Sequence, residues 1–284
     1  MDLVSTSRCF DGEVRKYTHA SSETGCRMTF SVFLPDSAVA GTEKVPVLLY
    51  LSGLTCNEDN MITKSGALPH LSRERIALVV PDTSPRGTGT EGEEGDWELG
   101  TGAGFNVDAT QAPWSTHYRM YSYVVHELQR LVVDSLSVDG SRVSIFGHSM
   151  GGHGALVLAL RNPGRYRSVS AFAPISHPTT THWGRKQFQA YLGPDEALWA
   201  QYDATELVKR YAGPVMPILI DQGDQDQFYS TMLRPSDFVA AVESAGRPVD
   251  LAMRVQPGYD HSYWFIQSFM ESHIAFHAKH LRAS

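Results

Sequence analysis

With 284 residues, 42% of them apolar and 19% charged, the chain can bury a substantial core as one large α/β domain or two small ones. A net charge of −7 argues against the clustered-cation surface that broad contact with nucleic acid or anionic membrane requires. No apolar run approaches the roughly 18 residues a membrane-spanning helix needs, and the start, Met1-Asp-Leu-Val-Ser-Thr-Ser-Arg8, shows no basic-then-apolar secretory signal.

The first elements carry the cysteines. Cys9, Cys26 and Cys56 cannot all pair with one another and no Cys-x-x-Cys spacing occurs, so reduced thiols in a cytoplasmic protein are expected. Residues 28–34 alternate and predict an antiparallel entry strand. Residues 45–51 and 76–80 are continuous apolar runs, the pattern of buried parallel strands. Residues 83–114 are rich in glycine and acidic residues and lack periodicity, which predicts a long loop. Apolar residues at helical spacing follow over 118–136, then a strand at 143–146 and a helical pattern over 155–160. Further strands are predicted at 168–172, 216–220 and 251–255, and helices at 234–245 and 263–280, with short helical pieces in 174–213. Strands alternating with helices predict a mostly parallel sheet covered on both faces. No repeat or linker interrupts the pattern, so residues 1–284 read as a single domain with no separate cap domain. The two long excursions, 83–114 and 174–213, leave the C-terminal edge of predicted strands, where open α/β sheets hold ligands.

The most informative run is Val143-Ser-Ile-Phe-Gly-His-Ser-Met-Gly-Gly-His-Gly154. The pattern Gly147-x-Ser149-x-Gly151 is weak alone, but here a strand precedes it and a helix follows. That is the context of a nucleophile elbow, in which a sharp turn exposes a serine hydroxyl above the sheet, as in the α/β-hydrolase fold. A serine nucleophile needs a base held in the right tautomer by an acid. Downstream, the strand at 216–220 opens into Asp221-Gln-Gly-Asp-Gln-Asp226, and the strand at 251–255 opens into Gln256-Pro-Gly-Tyr-Asp-His261. Acid and histidine thus follow the serine on successive strand-to-helix loops. Spacing alone leaves Asp221, Asp224 and Asp226 as candidate acids, Asp221 being placed to brace the strand end. Asp260 adjoins His261 and is expected to point elsewhere.

The other histidines read as structural. His148 is expected to be turned away by the bend, and His153 to be structural as well. His273, His277 and His280 lie at helical spacing without a His-Glu-x-x-His context, so a solvated helix face is expected, and no metal site. For the oxyanion, the backbone N–H of Met150 and one from Ser52-Gly-Leu-Thr-Cys56 are expected, Leu54 being the choice because Gly53 permits the bend.

Several passages resemble the S-formylglutathione hydrolase (esterase D) family. They are Leu51-Ser-Gly-Leu-Thr-Cys-Asn-Glu-Asp-Asn60, Pro81-Asp-Thr-Ser-Pro-Arg-Gly87, Gly102-Ala-Gly-Phe105 and Asp108-Ala-Thr-Gln-Ala-Pro-Trp114. Tyr118-Arg-Met-Tyr-Ser-Tyr123, Gly147–Gly152, Asp221-Gln-Gly223, Asp226-Gln-Phe228 and Gly258-Tyr-Asp-His-Ser-Tyr-Trp264 continue the match through most of the chain. The resemblance implies a cytoplasmic serine thioesterase that converts S-formylglutathione to glutathione and formate without a cofactor. It also implies activity on small esters and a homodimer. Position by position it implies Ser149 as nucleophile, Asp226 as acid, His261 as base, and Leu54 and Met150 as oxyanion donors. Cys56 matches a family cysteine beside the active site whose modification blocks activity, and Trp183 the tryptophan of a Pro-Trp-Gly motif. His182 stands here where proline is usual, and Trp264 where tyrosine is common. Trp183 and the Met150 side chain are expected to limit the acyl pocket. Lys64, Arg86 and Lys186 are candidates for a basic rim facing the carboxylates of glutathione.

Overall fold

A computed structural model describes residues 1–283. Strands β1 (Asp2–Arg8), β2 (Gly12–Ala20), β3 (Arg27–Pro35) and β5 (Ala77–Pro81) are successively antiparallel. From β5 onward the neighbours β4 (Val45–Leu51), β6 (Val138–His148), β7 (Val169–Phe172), β8 (Met216–Gly223) and β9 (Val249–Gln256) are parallel. Together they make one nine-stranded sheet in the order β1-β2-β3-β5-β4-β6-β7-β8-β9. This is the α/β-hydrolase arrangement predicted from the strand pattern. The continuous apolar runs form the middle of the sheet, and β4, β5 and β7 are buried along their whole length. β1, in which no residue is apolar on a regular alternation, forms an edge with every residue exposed.

Strand order reverses around β4, whose neighbours β5 and β6 lie on opposite sides. Chains leaving β4 and β6 therefore diverge and open a crevice at their C-terminal ends, the usual ligand position in such sheets. Leu51 pairs with Gly147 there, so the two loops that follow start side by side.

Helices cover both faces. Met150–Arg161 is buried from Met150 to Leu160, which accounts for its being apolar on nearly every side. The 118–136 pattern begins as helix at Met120, widens into a π-helix over Tyr123–Leu128 and continues as Gln129–Ser135. Residues 83–114 contain no helix beyond the short turn that starts at Trp114, as their composition predicts.

The helix Tyr263–Arg282 corrects one expectation. His273 and His277 are fully buried against the sheet, not on a solvated face, and only His280 is partly exposed. They belong to a polar chain through the core. Ser144 and Ser168 hydroxyls are 2.8 Å apart, Ser168 meets His277 Nδ1 at 2.8 Å, and Ser170 meets both His277 Nε2 and His273 Nδ1 at 2.8 Å. His273 Nε2 then reaches Asp221 Oδ2 at 3.1 Å, and Asp221 accepts from Arg254 at 2.6 and 2.5 Å. Each buried polar group in this chain finds a partner from the facing element, which is what makes two histidines tolerable in an apolar stripe.

Candidate active site

Strand β6 ends at His148, and Ser149 follows with φ 56° and ψ −117°, a strained conformation for a residue with a side chain. The backbone is locked on both sides. Ser149 N–H donates to the Phe172 carbonyl at 2.9 Å, and its own carbonyl accepts from His153 N–H at 2.9 Å and Ile175 N–H at 3.3 Å. Glycine is required at both flanks because the turn folds back on β4. A Cβ at Gly147 would lie 2.2 Å from the Gly151 carbonyl oxygen, and one at Gly151 would lie 1.9 Å from the Leu51 carbonyl oxygen. Gly151→Ala is accordingly expected to cost about 3 kcal/mol of stability, read as a lowered denaturant midpoint, since backbone cannot step aside as a flexible side chain would.

Of the three candidate acids only Asp226 meets the histidine. His261 Nδ1–H donates to Asp226 Oδ2 at 2.5 Å, and Asp226 is held by Gln222 Nε2 at 3.0 Å and by Phe228 N–H at 2.8 Å to its other oxygen. Its carboxylate is wholly buried. Asp221 is committed to Arg254 and His273, the bracing role expected of it, and holds its proton only below about pH 2 because those donors outweigh the effect of burial. Asp224 accepts from Gly258 N–H at 2.7 Å, and Asp260 caps its own loop through Ser262. With Nδ1 protonated by its bond to Asp226, the free base of His261 is Nε2. His261 and Ser149 line one cleft of about 260 Å³. Among the described residues the imidazole is hydrogen-bonded to Asp226 and not to the serine, a separation that substrate-free sites often show.

The loop after β4 completes the floor. Gly53 lies so close to the elbow that an added Cβ would be 3.4 Å from the Ser149 Cβ. Thr55 N–H is occupied by the Gly102 carbonyl and Cys56 N–H by that of Gly53. Among the described residues, the N–H groups of Leu54 and Met150 have no backbone acceptor. Leu54 lines the cleft, and Met150 opens the helix that follows Ser149, where the dipole favours negative charge. Cys56 also lines the cleft, and burial pushes its thiol up, so it is a neutral group and not a thiolate at neutral pH. The Cys56 carbonyl is held by Thr83 Oγ1 at 2.5 Å and by Arg86 at 3.2 Å.

The walls are aromatic. Trp183 packs against Phe228 (centroids 4.7 Å apart), and Phe228 stands edge-on to His261 at 5.2 Å. Trp97 and Tyr263 complete the lining. His148 corrects a second expectation. It is not turned away from the site but lines the cleft, its ring 4.5 Å from that of His261, and burial keeps it neutral well below its ordinary range. His153 is structural as expected, packed between Phe105 and Phe188. The unusual His182 is exposed at the first turn of the helix His182–Leu192, and Trp264 is exposed at the start of Tyr263–Arg282, so neither replacement alters the lining. Phe228 and Tyr263 fall within the family-like passages Asp226-Gln-Phe228 and Gly258–Trp264, the signal that points to them in the sequence. Trp97, in an aperiodic loop, left no such signal.

None of the three candidate rim cations lines the cleft. Arg86 is paired with Asp82 through two contacts of 2.7 and 2.9 Å and braces the Cys56 carbonyl. Lys186 is paired with Asp96 at 2.6 Å and with Glu98. Lys64 stands over the Tyr263 ring, 5.8 Å from its centroid, and among the described residues it has no ion-pair partner.

A strained serine at a strand–helix elbow, an Asp–His pair on the loops that follow β8 and β9, and two idle N–H groups on a mostly parallel sheet define an enzyme of the α/β-hydrolase class. A family model described as "Putative esterase" matches residues 21–276. S-formylglutathione hydrolase from Bos taurus is 54% identical over 281 residues, covering 99% of this chain and 98% of the relative. The Arabidopsis thaliana protein of the same name is 50% identical, covering 98% and 97%. A solved S-formylglutathione hydrolase from Agrobacterium tumefaciens superposes with a TM-score of 0.95 at 44% identity, covering 99% of this chain and all of that one. The chain belongs to the S-formylglutathione hydrolase family.

Proposed function

We propose that this chain, acting as one domain over residues 1–284, hydrolyses S-formylglutathione to glutathione and formate and also cleaves small acyl esters. The observation that carries the chemistry is the Asp226–His261 hydrogen bond placed in one cleft with Ser149. The substrate is the one for which its relatives are named.

In this reading His261 Nε2 removes the Ser149 proton as Oγ attacks the formyl carbon. Charge gathering on the carbonyl oxygen meets the Leu54 and Met150 N–H groups, each worth about 2.7–4 kcal/mol to a transition state of this kind. Asp226 stabilises the imidazolium that forms. His261 then protonates the departing sulfur. The leaving thiol has a pKa near 8.5, so its C–S bond breaks more readily than an alkyl ester's C–O bond. Water, deprotonated by His261, attacks the formyl-serine and releases formate. No step requires a metal or cofactor. Lys64, which stands over the Tyr263 ring and has no ion-pair partner among the described residues, is the rim candidate that remains for a glutathione carboxylate. We further assign the protein to the cytoplasm as a homodimer, a reading supported by its three free thiols and by the family resemblance.

Formyl carries no carbon substituent, and the buried Trp183 leaves little room for one. S-formylglutathione is expected to exceed its S-acetyl and S-lactoyl analogues in kcat/KM by at least about tenfold, and Trp183→Ala to narrow that gap by a similar factor. Steady-state rates on the three thioesters and on an aryl acetate test both points. The aromatic wall also suits aryl esters, so an aryl acetate turned over more efficiently than S-formylglutathione would favour a general carboxylesterase instead.

A further inference from the structure

Trp97 is 54% exposed although it packs edge-on against the buried Trp183, with centroids 5.8 Å apart. It sits at the tip of a tight turn in which Leu99 N–H donates to the Asp96 carbonyl at 3.0 Å, and Glu98 N–H to the Asp96 side chain at 3.0 Å. Three residues of the helix His182–Leu192 hold that turn. Lys186 pairs with Asp96 and with the largely buried Glu98, Gln187 Nε2 donates to the Glu98 carbonyl at 2.9 Å, and the Tyr191 hydroxyl accepts from Gly100 N–H at 2.8 Å. An exposed indole fixed on both sides of its turn is an unusual use of buried polar groups on a surface loop. It makes sense if the ring must stand in one place.

We propose that Trp97 is a specificity residue for the leaving group, presented to the thiol or alcohol portion of the substrate by an ion-pair clamp from Lys186 to Asp96 and Glu98. The proposal rests on the serine-hydrolase reading of the cleft. A formyl or acetyl group is confined to the neighbourhood of Ser149 and the two N–H donors. Trp183 and Phe228 occupy the inner wall beside His261, so the part of a substrate long enough to reach the half-exposed outer wall is the part that departs. The Trp97 ring then stacks on an aryl alcohol or on the peptide planes of glutathione. Lys186 touches no substrate in this scheme and is a positioning residue.

The test compares S-formylglutathione, 4-nitrophenyl acetate and ethyl acetate in wild type, Trp97→Ala, Trp97→Phe, Lys186→Met and Lys186→Arg, each substrate scaled to its own wild-type value. The two acetates share an acyl group and differ in what leaves. Trp97→Ala is expected to raise KM for S-formylglutathione and for the aryl ester about fivefold, with kcat little changed, and to affect ethyl acetate far less. Trp97→Phe retains most of the effect of the tryptophan. Lys186→Met gives the same split in weaker form, and Lys186→Arg restores the wild-type pattern. An equal fall on all three substrates, or a fall in kcat at constant KM, would overturn the proposal. If wild type cleaves both acetates but not S-formylglutathione, the substrate assignment fails, and the ester pair still decides the role of Trp97.

Discussion

Ser149→Ala is expected to cost about 10⁶-fold in kcat and Asp226→Asn about 10⁴-fold, with the double variant no worse than Ser149→Ala alone. The two numbers differ because the two residues fail differently. Without the hydroxyl there is no acyl-enzyme, and what remains is binding and the oxyanion donors. Asp226→Asn keeps the shape but presents an amide in a pocket built for an acceptor, where the His261 Nδ1–H, Gln222 Nε2 and Phe228 N–H all donate. If the amide nitrogen faces His261, the imidazole proton moves to Nε2, and the base can no longer take the serine proton. Asp224→Asn is the control, since its carboxylate accepts through Oδ1 from Gly258 N–H and Gln225 Nε2, both of which an amide oxygen can still satisfy, and makes no hydrogen bond to His261. Loss of activity at 224 equal to that at 226 would show that loop geometry, and not the tautomer of His261, sets the rate. Labelling by a fluorophosphonate should vanish in Ser149→Ala and merely slow in Asp226→Asn.

The parts of this site written locally in the sequence were the parts that could be read from it. Strand β4 was bounded to the residue because a seven-residue apolar run can be buried on both faces in few other ways. The elbow was legible because glycine at 147 and 151 answers a steric demand that no other residue meets. The choice among Asp221, Asp224 and Asp226 was not, because all three follow one strand and differ only in which way the loop turns. The family resemblance implies Asp226, and of the three it is Asp226 whose carboxylate meets His261 Nδ1, at 2.5 Å. His273 and His277 were misjudged by their chemical type. Their positions fall on the same stripe as Ile266, Met270, Ile274 and Leu281, so periodicity placed them inward while polarity argued for water. Periodicity prevailed because Ser168, Ser170 and Asp221 wait on the sheet to receive them. Arg86 and Lys186 are rim candidates by charge and by their place in loops at the active edge, and only the fold reveals that acidic side chains already hold them. β1 leaves no signal because an exposed antiparallel edge needs no apolar alternation, and β2, paired between β1 and β3, carries too few apolar residues to show one.

The same buried histidines make folding stability fall steeply below pH 6.5. His148, His153, His273 and His277 are all buried, and removal from water lowers the affinity of each for a proton, to about pH 4 for His153. In the unfolded chain each protonates near pH 6.5. Below that value the unfolded state binds more protons than the folded state, so stability declines as pH falls, and His153 stops contributing once the folded protein protonates it near pH 4. One such group, kept neutral in the folded state, contributes a slope of at most about 1.4 kcal/mol per pH unit, and the other three add to it in the same direction. Asp221 is lost only as pH drops toward 2, while Asp82 and Asp203, which burial pushes up, oppose the trend. Between about pH 6.5 and 5 the histidine effect is expected to set the trend. Urea midpoints measured across that interval should decline at every step. His153→Leu, which puts an aliphatic side chain between Phe105 and Phe188 in place of the ring, should flatten the slope by about one proton while leaving the remainder in place. A midpoint constant from pH 6.5 to 5 would mean that the folded protein protonates these rings as readily as the unfolded chain does, which cannot be reconciled with their burial.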